Sequence, residues 1–180
     1  APHVGDAEAE RIARNVLALR KRLVGDDHPD IAETLHNLGV IEDGKGRASK
    51  AEAYFRKAIE IERRAFGTRH PMLAGSLMML AESLIDQGRF TEAEPYYQES
   101  LEQETALRGN RNPRLANSLE GIGKVWYQRG EFAKAEPAFR KSIEVLRESV
   151  GDEHPRMILA LNNLAGVQQR LGDLAGATES

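Results

Sequence analysis

The segment Gly25-Asp26-Asp27-His28-Pro29 decides the fold, because the chain returns to it at a constant interval. A step of 42 residues leads to Gly67-Thr68-Arg69-His70-Pro71, then to Gly109-Asn110-Arg111-Asn112-Pro113 and to Gly151-Asp152-Glu153-His154-Pro155. Self-similarity at a fixed period of this size is typical of proteins built from repeated helical units. Three further columns keep the same interval: Leu35, Leu77, Leu119 and Leu161; Gly46, Gly88, Gly130 and Gly172; Ala51, Ala93, Ala135 and Ala177.

Each repeat is predicted to hold two helices joined by a glycine turn. Proline is tolerated in the first turn of a helix, where its missing N–H would be unpaired anyway, so the first helix starts at each proline. The residue before it, such as His28 or Asn112, is placed to act as an N-cap. Gly46 and its equivalents end the first helix, and the Gly25 column ends the second. Small residues on the first helix mark a close approach of the two helices: Gly39, Ala81, Gly123 and Ala165.

This pattern predicts an all-α solenoid of stacked antiparallel hairpins, forming a single array over residues 1–180. Full hairpins are expected over 29–66, 71–108 and 113–150, with a lone second-type helix over 6–24. A truncated repeat over 155–180 has a first helix that ends at Leu171 and a second helix that begins after Gly172. Since the chain starts and stops inside the pattern, we expect it to be part of a longer protein.

Composition argues against several classes of protein. Acidic and basic residues are intermixed with a net charge of -3, which gives no electrostatic case for binding nucleic acid or an anionic membrane. No apolar run approaches the roughly 18 residues that a membrane span needs, and Ala1 to Glu10 do not resemble a signal peptide. The sequence has no cysteine, which fits a cytoplasmic location.

Several residues resemble the tetratricopeptide signature: Leu38-Gly39, Gly46, Ala51, Phe55 and Ala58. The 42-residue period and the Gly-x-x-His-Pro link are similar to the kinesin light chain subfamily, as is Asn162-Asn163-Leu164-Ala165 in the last first-type helix. The resemblance implies a right-handed superhelix. In the family, the first helices line a concave groove that binds extended peptides or partner segments.

The resemblance also implies which positions face that groove, and it is the only ground on which they are assigned. They are Glu33, His36, Asn37, Val40, Met78, Met79, Glu82, Asn117, Glu120, Lys124, Tyr127, Asn162, Asn163 and Arg170. Asparagine suits a groove because its amide both donates to and accepts from a peptide backbone. Met78 and Met79 stay open between two interpretations, namely adaptable contacts to an apolar partner and filling of the hairpin packing. A clamp for a free carboxylate is not expected, because Glu120 would oppose Lys124.

No catalytic, cofactor or metal site is predicted. The link histidines stand one repeat apart, too far to share a metal ion, and helix entry explains them. Residues Gly39 to Gly46 resemble a phosphate-binding loop, but Gly46 replaces the required hydroxyl residue and a helix precedes the segment. Acidic residues recur beside basic ones on solvent faces, with no sign of a pocket that would shift their pKa values. An enzyme is therefore not expected.

Three functions remain open at this point. The first is an interaction scaffold whose groove binds a peptide or protein partner. The second is a regulatory or ligand-sensing module of a larger signalling protein. The third is self-assembly into a homo-oligomer through the ends of the array, where Leu161, Leu164 and Val167 would lack a covering helix.

Overall fold

The computed structural model describes the backbone of residues 4–110 and 112–178 and the side chains of residues 7–110 and 112–172. Within these residues the chain forms eight helices and no strand, which confirms the all-α class. The helices are α1 (Val4–Val24), α2 (Pro29–Gly44), α3 (Ala48–Phe66), α4 (Pro71–Asp86), α5 (Phe90–Arg108), α6 (Arg114–Gln128), α7 (Phe132–Val150) and α8 (Pro155–Thr178).

Helices α2, α4 and α8 start at the link proline as the sequence predicts, whereas α6 starts one residue later, at Arg114. Nδ1 of each link histidine accepts a hydrogen bond from the backbone N–H two residues later. The N···Nδ1 distances are 3.2, 3.3 and 3.2 Å for His28, His70 and His154. Asn112 accepts in the same way from the N–H of Arg114, through Oδ1 at 3.1 Å. Each link side chain therefore satisfies one of the backbone donors that a helix start leaves unpaired.

The chain divides between Tyr96 and Tyr97, inside α5, into two units. In the first unit α1 packs on α2, α2 on α3 and α3 on α4, and α2 also lies beside α4. Its core brings Ile31, Ala32 and Leu35 of α2 against Ala58 and Ile61 of α3.

In the second unit α6 packs on α7 and α7 on α8. Leu115 and Ala116 of α6 meet Ile143 and Leu146 of α7 in one cluster that also takes in residues of α8. A second cluster joins α7 and α8 and buries Val167.

The end of α8 differs from the prediction. Gly46, Gly88 and Gly130 have φ values of 68°, 73° and 75°, the left-handed region that a reversal needs, whereas Gly172 is not among the glycines with positive φ. Helix α8 runs on through Gly172 to Thr178 instead of ending at Leu171.

The predicted apolar stripe on α8 is also corrected. Val167 is fully buried against α7 and Leu164 partly so, and only Leu161 of the three is exposed. Ala165, predicted to mark a close approach, is exposed because no second-type helix folds back over α8 in the described residues. The exposed apolar residues of α8 are instead Ile158, Leu159 and Leu161.

Candidate functional site

A cleft in the second unit is a candidate site. It has a volume of about 390 Å³ and lies between α6, α7 and α8. Seven residues line it: Lys124, Tyr127, Gln128, Phe139, Asn162, Asn163 and Gly166. Small, partly apolar clefts with a few convergent polar groups are the usual form of a binding site.

Close packing of α6 on α7 shapes the wall of this cleft. A Cβ at Gly123 would stand 2.8 Å from Cζ of Phe139, so the glycine lets the ring come directly against α6. Tyr127 then meets Phe132 edge to face at 5.2 Å between ring centroids. On the opposite side, a Cβ at Gly166 would meet nothing within 4 Å, and the cleft stays open there.

The cleft offers hydrogen-bond donors that the described chain does not use. Lys124 is exposed and has no ion pair or hydrogen bond within the described residues. The Nδ2 atom of Asn163 is buried and has no hydrogen-bond partner. A buried donor without an acceptor costs about 1–3 kcal/mol. A ligand that carries an acceptor, such as a peptide carbonyl or a carboxylate, would remove that cost.

Glu120 does not oppose Lys124 as the sequence suggested. It is buried, and its Oε1 accepts a hydrogen bond from Oγ of Ser142 on α7 at 2.9 Å. The guanidinium of Arg156 lies 3.7 Å from the same oxygen. Because a hydroxyl and a cation already hold this carboxylate, the argument against a carboxylate ligand near Lys124 no longer applies.

Two other predicted groove residues of the second unit are engaged inside the unit. Asn117 accepts a hydrogen bond from Arg156. Arg170 lies over the ring of Phe132 at 5.5 Å from its centroid, within the range of a cation–π interaction. The structure therefore brings Lys124, Tyr127, Asn162 and Asn163 together in the cleft, and not Asn117, Glu120 or Arg170.

The first unit carries the other predicted groove residues on α2 and α4. Asn37 and Val40 are exposed, and Met78, Met79 and Glu82 are half-buried. Glu33 is exposed and pairs with Arg20 at 2.9 Å. His36 is half-buried, and its Nδ1 lies 3.0 Å from Oγ of Ser76. This hydrogen bond joins α2 to α4.

Sequence reasoning missed Gln128 and assigned Phe139 only to packing. Gln128 follows Lys124 by four residues on α6, and residues at that spacing share a helix face. This spacing could have identified Gln128 as a residue of the cleft. Phe139 reaches the cleft because Gly123 opens the way to its ring, which depends on helix contacts that the spacing alone does not show.

Among the described residues no group of three or more histidine, cysteine, aspartate or glutamate side chains could hold a metal ion. None of the described helices is long and apolar enough to cross a membrane.

Comparison with known proteins places this geometry in a family. Residues 3–64, 72–148 and 126–179 match the sequence pattern of the tetratricopeptide repeat, which covers most of the chain. The chain belongs to the tetratricopeptide-repeat family. No curated protein matches the sequence.

Solved structures of the same fold include kinesin light chain-like repeats. BtubC (BKLC) from P. vanneervenii is 23% identical with a TM-score of 0.85, over 98% of this chain and 70% of that one. The nearly identical TPR-like repeats of a putative kinesin light chain from Podosopora anserina are 18% identical with a TM-score of 0.79, over 97% and 82%. A Rap protein complexed with competence and sporulation factor is 17% identical with a TM-score of 0.67, over 84% and 41%. At these identities the likeness concerns the fold alone.

Proposed function

We propose that this tetratricopeptide-repeat chain is an interaction scaffold that binds an extended peptide or partner segment, with the second unit's cleft as a main contact. The observation that carries the proposal is that hydrogen-bond donors without acceptors and an apolar wall lie in the same cleft. Lys124 and Nδ2 of Asn163 have no acceptor among the described residues, while half-buried Tyr127 offers ring surface and buried Phe139 backs the cleft. A peptide supplies both a carbonyl acceptor for the donors and side chains for the rings.

Two further observations support binding of a peptide rather than catalysis. No nucleophile with a base partner lines the cleft, whose ionisable residues are Lys124 and Tyr127. A Rap protein with a similar fold holds competence and sporulation factor in its crystal structure. The absence of cysteine supports a cytoplasmic location as part of the same proposal. No observation in the chain favours the regulatory alternative.

The proposal is tested by selecting ligands from a random peptide display library and measuring their affinities by fluorescence anisotropy. The cleft variant carries Lys124→Glu and Asn163→Ala, and we expect it to weaken binding at least tenfold, about 1.4 kcal/mol. Lys141→Glu on α7 is the matched control, because it makes the same charge change at an exposed residue outside the cleft. Equal affinity of the parent and the cleft variant for every selected peptide would overturn the proposal.

Self-assembly is a second candidate that exposed apolar residues favour. Ile12, Val16, Leu19 and Leu23 follow one another at helical spacing along α1, and all are exposed. On α8, Ile158 and Leu161 are exposed at a spacing of three residues. Exposed apolar stripes often mark an interface.

Sedimentation of the chain over a wide concentration range tests this candidate. Leu19→Glu and Ile158→Glu are expected to abolish concentration-dependent association. Leu107→Glu on α5 is the control, since Leu107 is also exposed but belongs to neither stripe. A parent chain that stays monomeric at the highest concentration would rule the candidate out.

A further inference from the structure

A chain of hydrogen bonds runs through three helices of the first unit. Nδ1 of His36 on α2 lies 3.0 Å from Oγ of Ser76 on α4. Ser76 in turn donates to Oε1 of Glu62 on α3, also at 3.0 Å. Ser76 and Glu62 are fully buried, whereas His36 is half-buried. These hydrogen bonds therefore connect the interior of the unit with its surface.

Glu62 has no cation to balance its charge. Its Oε2 is buried without a hydrogen-bond partner, and no ion pair to it exists among the described residues. The helices packed against α3 carry these ionisable groups: Asp30, Glu33, His36, Glu42 and Asp43 on α2, and Glu82 and Asp86 on α4. Of these only His36 is joined to Glu62, through the Ser76 hydroxyl.

Several of the neighbouring charges on the same elements are paired. Glu33 pairs with Arg20 and Glu42 with Arg47. On α3 itself, Arg64 pairs with Asp27 and with Glu60. None of these ion pairs includes His36, Ser76 or Glu62, which are joined to one another by hydrogen bonds.

Burial favours the neutral form of both the Glu62 carboxyl and the His36 imidazole. It raises the pKa of the Glu62 carboxyl, and the hydrogen bond from Ser76 opposes that rise only in part. Burial also lowers the pKa of the His36 imidazole. Both directions bring the two titrations closer together than they are in free side chains.

We propose that His36, Ser76 and Glu62 form a proton relay in which the protonation of buried Glu62 decides which nitrogen of His36 carries hydrogen. When Glu62 is ionised, Ser76 must donate to it, so Nδ1–H of His36 donates to Ser76 and Nε2 is left as an acceptor. When Glu62 takes up a proton, its O–H donates to Ser76. The serine hydroxyl then donates to Nδ1, and the hydrogen of His36 lies on Nε2.

The output of the relay is therefore a change of hydrogen-bond polarity at Nε2. No described residue is bonded to Nε2, so this nitrogen is left to solvent or to a partner. A contact between a peptide and His36 rests on the proposed function. At such a contact, acid conditions favour a peptide group that accepts a hydrogen bond from Nε2, and alkaline conditions favour a group that donates one to it. The relay itself is independent of that proposal.

The relay is particular to the first unit. One repeat later the positions of His36, Ser76 and Glu62 hold Met78, Ser118 and Glu104. Methionine cannot pass a proton. Glu104 instead accepts from Nδ2 of Asn112 at 2.5 Å.

Nuclear magnetic resonance of the full chain tests the relay without any partner. Two-bond ¹H–¹⁵N correlations identify which nitrogen of His36 is protonated, and the ¹³Cδ shift of Glu62 reports its ionisation, from about pH 5 to about pH 9. The His36 signal is assigned by its loss in His36→Gln. We expect the two His36 nitrogens to exchange protonated and unprotonated shifts with the same midpoint as Glu62. A constant His36 tautomer, or a Glu62 shift that does not change in this range, overturns the proposal.

Two variants sharpen the result. Glu62→Gln keeps a donor toward Ser76, so the neutral His36 ring should hold its hydrogen on Nε2 at every pH at which it is neutral. Ser76→Ala should remove any dependence of the tautomer on Glu62. Ser118→Ala is the matched control, because it deletes a fully buried hydroxyl at the equivalent position and should leave the His36 shifts unchanged. A change of His36 tautomer at the Glu62 midpoint that persists in Ser76→Ala would overturn the role of the serine.

Discussion

Gly39 of α2 faces the ring of Phe55 so closely that a Cβ at position 39 would stand 2.5 Å from Cε1 of that ring. Both residues are buried, and protein interiors are close-packed, so we expect the ring to yield only at a cost. We therefore expect Gly39→Ala to lower the free energy of unfolding by about 1–3 kcal/mol, the usual cost of overpacking a core. Urea unfolding followed by circular dichroism measures this change.

Gly75→Ala is the control for that substitution. Gly75 lies inside α4, and a Cβ there would meet nothing within 4 Å. Alanine is favoured over glycine in a helix by about 0.5–1 kcal/mol, so this variant should be more stable than the parent. Equal effects of the two substitutions would show that helix propensity, rather than the contact with Phe55, controls position 39.

Leu77 marks the middle of the repeat pattern and is fully buried on α4. Leu77→Ala removes its side chain and leaves a cavity, which should cost roughly 2–5 kcal/mol of unfolding free energy. Val40→Ala on α2 is a suitable comparison, because Val40 is 42% exposed and little packing is lost there. A loss below about half a kcal/mol for Leu77→Ala would contradict its place in the core.

The repeat made most of the fold predictable, because each column has a local physical cause. Proline and its preceding cap residue specify a helix start wherever they occur, and a glycine with positive φ specifies a reversal. The same reasoning failed at Gly172, which has the residue type of its column but lies inside α8 without a positive φ. A turn forms only when the second helix has a surface to bury, and that is a property of the packing rather than of the glycine.

The site was less predictable than the fold. Lys124 and Asn163, which the family resemblance assigned to a groove, both line one cleft, and the position of each depends on helix register. Glu120 lies on the same helix as Lys124, yet it turns toward Ser142 and Arg156. Arg156 stands 36 residues further along the chain, and no local pattern indicates that it would reach this carboxylate. Side-chain pairing between helices was therefore the part that the sequence could not supply.

Glu62 should make the stability of the first unit depend on pH. Its pKa is raised in the folded state by burial, so its contribution is fully present below its ordinary pKa of 4.5 and is lost as pH rises through the folded value. Glu62→Gln removes the ionised form, and we expect it to be more stable than the parent at about pH 8.5, by about 1–3 kcal/mol. At about pH 5 the two proteins should differ little. Thermal unfolding at both pH values measures the difference, and a gap that is larger at the lower pH would refute the assignment.

Glu10 should show the opposite dependence, because it attaches α1 to the turn between α2 and α3. Its Oε2 accepts from Nζ of Lys45 at 2.7 Å and from the guanidinium of Arg47 at 2.9 Å. The hydrogen bonds from Lys45, Arg14 and Arg47 lower the pKa of Glu10 to about 2. A carboxyl with a lowered pKa contributes stability above its ordinary value of 4.5, and that contribution is lost as pH falls toward 2.

Amide hydrogen exchange along α1 measures this attachment. At neutral pH, Glu10→Gln should expose α1 to faster exchange, and the parent should approach the exchange protection of the variant as pH falls from 4.5 toward 2. Glu8→Gln is the control on the same helix, because among the described residues Glu8 pairs with Arg11 of α1 and with no other element. If Glu8→Gln loosened α1 as much as Glu10→Gln does, pairing within α1 rather than the tie to Lys45 and Arg47 would explain its stability.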